Sequence, residues 1–205
     1  MKLAVAVVSV MLTAPTLATE PPGRQQASLT ETLERQIADR HGVKWSASRL
    51  LTWDDFKGPI VNAEDAEAAH LEYGLFYGVR CTGRALRFEV VAAMLPGDSW
   101  VKRSVIESPA DNARTLKHEQ THFDLAEVHA RKMRRYFTGL YEPCLRSNED
   151  LAGLADGLIK AETSEQKRYD EETRNGRRAD RQQAWDADVA ARLAGGARGE
   201  RGGTL

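Results

Sequence analysis

The segment His118-Glu119-Gln120-Thr121-His122 places two imidazoles four residues apart, with a carboxylate directly after the first. In an α-helix, which turns by about 100° per residue, these histidines share one face and can bind one ion. The glutamate points to the side, where it can act on a water molecule bound to that ion. Zinc hydrolases need this set of groups, together with a third protein ligand. The motif therefore predicts a Zn²⁺ site with His118 and His122 as ligands and Glu119 as the catalytic base.

The helix that carries this motif has a strong start signal. Ser108 can act as its N-cap and Pro109 suits the first helical position, so we predict a helix over residues 109–141. The two histidines fall on the stripe that continues further along as Leu125 and Met133. The predicted metal site therefore faces the protein core.

The same helix geometry excludes other polar residues as ligands of this ion. His129 shares the face but lies about 10 Å further along the helix axis than His122, so we interpret it as a core or supporting histidine. Asp124 and Glu127 point to the opposite side. We expect Glu127 to form a surface ion pair with Arg131, four residues later.

The third ligand must come from another part of the chain. A second long helix is predicted over residues 148–173, and its core-facing stripe becomes polar near its end. Asp170 is the best candidate ligand, and Glu162 is the next. Tyr169 could donate a hydrogen bond to the oxyanion of a tetrahedral intermediate, which makes it a candidate catalytic residue. The alternative is that Asp170 is simply one of several exposed acids.

Strand patterns occupy the middle of the sequence. Residues 69–80 and 85–95 alternate apolar and polar positions and predict a β-hairpin, while residues 45–53 are expected to be extended. Residues 100–104 predict a short edge strand, to which an extended peptide could bind by strand addition. The predicted fold class is α+β: a small antiparallel sheet, from about residues 45–105, packed on two long helices that include a zincin-like active-site helix.

The remaining segments define the domain organisation. Residues 1–18 have the charge, apolar run and small residues of a signal peptide, so we expect export to the periplasm or medium. Residues 19–44 predict a linker and a short helix that starts with a capping box at Ser28. Residues 45–193 form the predicted zincin-like metalloprotease domain, which ends in a polar helix. Residues 194–205 are rich in Gly and Arg and predict a disordered tail.

Charge and cysteine content restrict the possible partners. The net charge of −1 gives no reason to expect nucleic acid or an anionic membrane surface as a partner, and no segment after the predicted signal approaches membrane-spanning length. The two cysteines, Cys81 and Cys144, predict one disulfide in an oxidising compartment. The alternative is a pair of buried free thiols.

Three segments in this order resemble a known family: residues 51–58 (LTWDDFKG), 116–131 (LKHEQTHFDLAEVHAR) and 169–173 (YDEET). The chain resembles the bacterial exported domain-of-unknown-function family 922, whose members are described as zinc-dependent proteases. The resemblance implies a zincin-like site and marks Tyr169, Asp170 and Thr173 as part of the signature. The family pattern has a histidine two positions after the threonine, where this chain has Asn175. The third ligand therefore stays open between Asp170, Glu162 and Asn175.

Together these features predict a zinc-dependent metallopeptidase that acts on a peptide or protein substrate. Two other functions are compatible with the same residues: an amidase that acts on cell-wall peptide, and a non-catalytic binding module stabilised by a structural zinc. A structural site would have four protein ligands, so the open site expected here favours catalysis. The sequence does not indicate the oligomeric state.

Overall fold

The computed structural model describes residues 9–11, 28–60 and 67–200 of the chain. The strands are β1 (Ser9–Met11), β2 (Val43–Lys44), β3 (Ala69–His70), β4 (Tyr73–Thr82), β5 (Ala85–Met94) and β6 (Trp100–Val101). The helices are α1 (Leu29–Asp39), α2 (Arg103–Glu107), α3 (Pro109–Thr138), α4 (Asn148–Thr173) and α5 (Ala179–Glu200).

The centre of the fold is the β4–β5 hairpin. The two strands are antiparallel and paired from Tyr73 with Met94 to Thr82 with Ala85, so two residues form the turn. Gly83 in this turn has a φ of +61°, a conformation that costs glycine little. The main sheet has the order β1-β4-β5-β2, in which only the β1–β4 pair is parallel. This sheet packs against the helices and confirms the predicted α+β class.

Helices cover both faces of the hairpin. One face packs against α3 and α4 through Tyr73, Leu75 and Tyr77. On the other face Phe76 packs against Leu33 and Ile37 of α1. Gly78 of β4 allows α1 to approach this face closely, since a Cβ at Gly78 would lie 2.9 Å from Leu29 Cδ2. The start of α1 was predicted correctly, because Ser28 and Glu31 form the expected capping box.

The shorter predicted strands differ from the structure. Residues 45–53 form a single bridge between Ser46 and Arg49, and a 3-10 turn follows at Trp53–Asp55. The predicted strand over residues 100–104 contains two strand residues, since Arg103 already begins α2. β6 pairs with β3 in a separate two-stranded sheet, antiparallel and outside the main one.

Three long helices, rather than two, surround the candidate site. α4 has the predicted bounds, and α3 ends three residues before the predicted residue 141. α5 packs against α3 and α4 through Trp185 and Val189, which contact Leu125 and Tyr169. It continues to Glu200, beyond the predicted end at residue 193 and into the segment predicted as a disordered tail; residues 201–205 lie outside the described part.

The predicted disulfide is present. Cys81 at the end of β4 bonds to Cys144 in the connection between α3 and α4, with their Cα atoms 5.7 Å apart. This bond ties the hairpin to the helical layer. Among the described residues, no helix combines the length and apolar character that a bilayer-spanning segment needs.

Most of the predicted signal peptide and linker lies outside the described residues, which begin with Ser9–Met11 and continue from residue 28. Ser9–Met11 pairs in parallel with Tyr77–Val79 of β4. The signal peptide over residues 1–18 stays a prediction.

Candidate metal centre

The structure brings His118, His122 and Asp170 together in the core. The Nε2 atoms of the two histidines are 3.1 Å apart, and Asp170 Oδ1 lies 3.1 Å from His118 Nε2 and 2.9 Å from His122 Nε2. All three residues are buried. α3 supplies both histidines from one face, and α4 supplies the carboxylate. Of the candidates for the third position, Asp170 is therefore the one whose oxygen converges with both ring nitrogens.

Gln166 fixes the orientation of the His122 ring. Its amide nitrogen donates hydrogen bonds to the backbone carbonyl of His122, at 3.0 Å, and to Glu162 Oε1, at 2.8 Å. Its Oε1 therefore faces His122 Nδ1, at 2.7 Å, and must accept a hydrogen bond from it. With the proton on Nδ1, the lone pair of Nε2 is free to point at the metal position.

Gln182 has the same relation to His118. Its amide nitrogen donates to Tyr169 Oη, at 2.7 Å, and to Asp186 Oδ1, at 2.9 Å, so its Oε1 faces His118 Nδ1 at 3.1 Å. The Tyr169 ring also stacks on the His118 ring, with centroids 4.7 Å apart. When a metal ion takes the place of the proton, both histidines can thus present an unprotonated Nε2 to the same point.

The electrostatics of this cluster favour a cation. Burial lowers the pKa of His122, but the charge and hydrogen bond of Asp170, with the charge of Glu119 and the hydrogen bond to Gln166, together outweigh burial and raise that pKa to about 9. Burial raises the pKa of Asp170, but His122 and His118 outweigh it and lower that pKa to about 2. The cluster therefore attracts positive charge strongly, as a proton or as a metal ion.

The donor set fits a metal ion. The second carboxylate oxygen of Asp170, Oδ2, is buried and has no hydrogen-bond partner among the described residues. Ligands bound to a tetrahedral zinc at about 2.0–2.1 Å lie roughly 3.3 Å apart, close to the separations of the three atoms here. Two imidazoles and one carboxylate are ligands that zinc accepts. His118, His122 and Asp170 can therefore hold a metal ion.

A cavity opens beside this cluster and is lined by three parts of the chain. The first is α3, which contributes His118, Glu119 and His122; the second is the segment of residues 67–71, which contains β3; and the third is the loop after α4. The predicted peptide-binding edge at residues 100–104 does not contribute to this lining. The full set of lining residues is Glu67, Ala68, Ala69, His70, Leu71, Arg114, Thr115, His118, Glu119, His122, Asn175 and Arg177.

Glu119 lines the cavity next to the two histidines. Only 5% of its surface is exposed, and burial raises the pKa of its carboxyl although the histidines oppose this. A carboxylate with a raised pKa is better suited to accept and return a proton near neutral pH. The geometry is therefore compatible with the predicted role of Glu119 as a base.

The loop between α4 and α5 packs against the side chain of His118. Arg174, Asn175 and Gly176 have positive φ angles of 51°, 53° and 76°, so three successive residues have left-handed backbone. This turn brings Gly176 against the histidine: a Cβ there would lie 3.0 Å from His118 Cβ. The same turn places Asn175 at the cavity, on its exposed side.

Two of the predicted site residues have other roles in the structure. The Tyr169 hydroxyl is directed at the His118 carbonyl, at 3.2 Å, and at Gln182, and this fully buried side chain does not line the cavity. Tyr169 therefore does not fit the predicted role of an oxyanion donor, since α5 packs over its hydroxyl and the hydroxyl does not reach the cavity. Glu162 is fully buried, and it accepts a hydrogen bond from Tyr73 as well as the one from Gln166.

The residues excluded as ligands are engaged elsewhere. His129 is buried and lies 2.7 Å from Glu165 Oε2, as expected of a supporting histidine. Asp124 accepts a hydrogen bond from the Trp45 indole at 2.8 Å. Glu127 pairs with Arg131 at 2.9 Å as predicted, but this carboxylate is buried rather than on the surface, since Arg134 also covers it.

Sequence reasoning did not find Gln166, Gln182 or His70. A signal for Gln166 exists, because Glu162, Gln166 and Asp170 repeat at a spacing of four and form one row along α4. Gln182 lies beyond the left-handed turn, and no helical periodicity connects it with α4. His70 belongs to a two-residue strand, which is too short to show a pattern.

A family model matches the part of the chain that contains these residues. Residues 110–177 match the model of a family described as a bacterial protein of unknown function (DUF922). The match covers most of α3, all of α4 and the left-handed turn, and so includes all three ligand candidates and Glu119. It supports the family resemblance seen in the sequence, but the family description assigns no activity. No curated protein and no solved structure gave a significant match to this chain.

Proposed function

We propose that this protein is a zinc-dependent hydrolase of peptide bonds. The observation that carries the proposal is that His118, His122 and Asp170 converge at a cavity that Glu119 also lines. Three protein ligands beside a cavity are typical of catalytic zinc, whereas structural zinc has four. Among the described residues, three side chains of the types that bind zinc converge at this site, and this number favours a catalytic zinc over the structural zinc of a binding module.

The residues of the site have distinct proposed roles. When bound, zinc supplies Lewis acidity and lowers the pKa of a water molecule. Gln166 and Gln182 hold the two imidazoles in the tautomer that binds metal. Glu119 takes the proton from the attacking water and delivers it to the leaving amine.

The segment of residues 67–71 is the proposed substrate-binding wall. Lys102 N–H donates to the Ala68 carbonyl at 2.9 Å, so these two residues, which directly flank β6 and β3, form a hydrogen-bonded pair that extends their pairing. Hydrogen-bonded and non-bonded pairs alternate along antiparallel strands, so the N–H and C=O of Ala69 point away from β6. Ala69 lines the cavity, and an extended peptide could pair with that edge.

Substitution of Glu119 tests the proposal. Wild type should contain about one zinc per chain and His118→Ala none, by elemental analysis of purified protein. Glu119→Gln should keep its zinc and lose hydrolysis of a fluorogenic peptide library, by a factor of about 100 or more. Glu171→Gln, at an exposed carboxylate on α4, is the matched control and should behave as wild type. Hydrolysis of cell-wall fragments but not of peptides would instead support the amidase.

We also propose that the protein is exported. The signal-peptide pattern of residues 1–18 and the Cys81–Cys144 disulfide support this, since disulfides persist in oxidising compartments. The protein can be expressed in a bacterial host, which is then fractionated. N-terminal sequencing of the exported form should show a chain that begins at Thr19. A chain that keeps Met1 and stays in the cytoplasm would contradict export.

A further inference from the structure

A protonatable side chain lines the same cavity as Glu119. His70 lies on β3, lines the cavity and is half-buried. Its ring is held in place on two sides: it stacks on Trp100, with centroids 6.1 Å apart, and its Nε2 lies 3.3 Å from Glu72 Oε2. A ring fixed in this way is pre-organised to interact with a bound substrate.

The surrounding carboxylates favour the protonated form of this imidazole. A hydrogen bond to Glu72 raises the pKa of His70, and the charges of Glu119 and Glu67 add to this effect although burial opposes it. Nδ1 lies 3.8 Å from Glu67 Oε2, which is beyond hydrogen-bonding distance. Nδ1 is thus the ring nitrogen on the side of Glu67, and because both residues line the cavity, an Nδ1–H group can donate to a ligand there.

The proposed reaction needs such a donor. Attack of water on a peptide carbonyl places negative charge on the carbonyl oxygen, and a fixed hydrogen-bond donor stabilises that charge. Tyr169 cannot serve, because its hydroxyl is directed at His118 and Gln182. Arg114 and Arg177 also line the cavity, but both are exposed, and Arg114 is paired with Asp111 at 2.5 Å.

We propose that His70 is a catalytic residue that donates a hydrogen bond from Nδ1 to the oxygen on which negative charge develops. The inference rests on the proposed hydrolase function and adds a residue to it. His70 keeps its proton throughout, so no bond to this residue forms or breaks. Glu72 and Trp100 act as positioning residues, since they hold the ring without touching the substrate.

Kinetics of His70 variants test this role. For a peptide that wild type cleaves, His70→Ala should lower kcat by about 100-fold and change KM by less than about threefold, because the hydrogen bond strengthens in the transition state. The zinc content should not change. His41→Asn, at an exposed histidine after α1, is the control and should match wild type. A kcat within threefold of wild type for zinc-loaded His70→Ala would overturn the inference.

A binding experiment separates this inference from the hydrolase proposal. Calorimetric titration with a phosphinic analogue of alanyl-alanine, a tetrahedral anion, should show about 10- to 100-fold weaker binding to zinc-loaded His70→Ala than to wild type. The neutral amide of alanyl-alanine should bind both proteins alike. Equal losses for both ligands would show that His70 only shapes the cavity and would overturn the role.

The variants also distinguish the two failures. If wild type binds the phosphinic analogue through His70 but cleaves no peptide, the hydrolase proposal fails while the anion-binding role holds. If wild type cleaves peptides and His70→Ala does so equally well, the reverse is true. His70→Gln, which keeps a neutral N–H donor in a similar volume, replaces His70→Ala if the alanine variant does not fold, and should retain part of the lost kcat.

Discussion

Gln166 Oε1 lies 2.7 Å from His122 Nδ1, and both hydrogens of the Gln166 amide are already donated elsewhere. The glutamine therefore accepts from the histidine and cannot be flipped without losing hydrogen bonds. A neutral amide, rather than a carboxylate, thus orients this metal-ligand candidate.

The first prediction concerns these supporting amides. Gln166→Ala and Gln182→Ala should each weaken zinc binding by about 10- to 100-fold, because the ring loses the acceptor that fixes its tautomer. Competition with a chromophoric chelator measures the affinity. Gln183→Ala removes an exposed neighbour of Gln182 and serves as the control. Wild-type affinity in both buried variants would show that the rings are held by packing alone.

The second prediction identifies the third ligand. Asp170→Ala should lose zinc as completely as His118→Ala, since Asp170 Oδ1 is within 3.1 Å of both histidine Nε2 atoms. Asn175→Ala should keep zinc, because this residue is exposed at the cavity. Elemental analysis of the three variants decides the matter. Zinc retained in Asp170→Ala but lost in Asn175→Ala would assign the ligand to Asn175 instead.

Local geometry explains what could be predicted from the sequence. The face shared by His118 and His122 follows from a spacing of four within one helix, and the end of α4 was predicted well enough to make Asp170 the preferred ligand. The hairpin also followed from a local pattern, whereas the disulfide followed from the even number of cysteines in a chain predicted to be exported. Each of these features depends on residues close in sequence, or on a count as small as two cysteines.

Features that depend on packing between distant elements could not be predicted. The second covered face of β4 requires α1 to return across the sheet, and no pattern within β4 shows this. The direction of the Tyr169 hydroxyl is set by α5, whose position depends on the left-handed turn after Thr173. The cavity wall at residues 67–71 contains only a two-residue strand, which has no periodicity to recognise.

The third prediction tests that left-handed turn. Gly176→Ala should lower the free energy of unfolding by about 1–2 kcal/mol, because alanine is strained at a φ of +76° and its Cβ would press on His118. Zinc affinity should fall as well, since the ring must shift. Urea unfolding and chelator competition measure the two effects.

A second glycine provides the opposite control for this test. Gly153 is an exposed position inside α4, and a Cβ there would meet no atom within 4 Å. Gly153→Ala should therefore raise the free energy of unfolding by roughly 0.5–1 kcal/mol. If Gly176→Ala is as stable as wild type and binds zinc equally well, the turn does not hold His118 in place.

The last prediction concerns stability in acid. Glu165 joins three helices: it lies 2.7 Å from His129 Nε2 on α3 and 3.0 Å from Arg192 on α5. The hydrogen bond from His129 and the charge of Arg192, opposed by burial, lower the pKa of Glu165 from 4.5 to about 2. A lowered folded-state pKa stabilises the fold above pH 4.5, and this contribution is lost as the pH falls from there towards 2.

Replacement of the carboxylate by an amide should remove this contribution. Glu165→Gln should lower the free energy of unfolding at pH 7 by about 1–2 kcal/mol and show less additional loss than its parent between pH 4.5 and 2. Urea unfolding should be done in the His118→Ala background, so that release of metal does not contribute. Glu171→Gln, at an exposed carboxylate of the same helix, should keep the parental pH dependence. An unchanged acid transition in Glu165→Gln would mean that the His129–Glu165–Arg192 contacts do not stabilise the packing of α5 on α3 and α4.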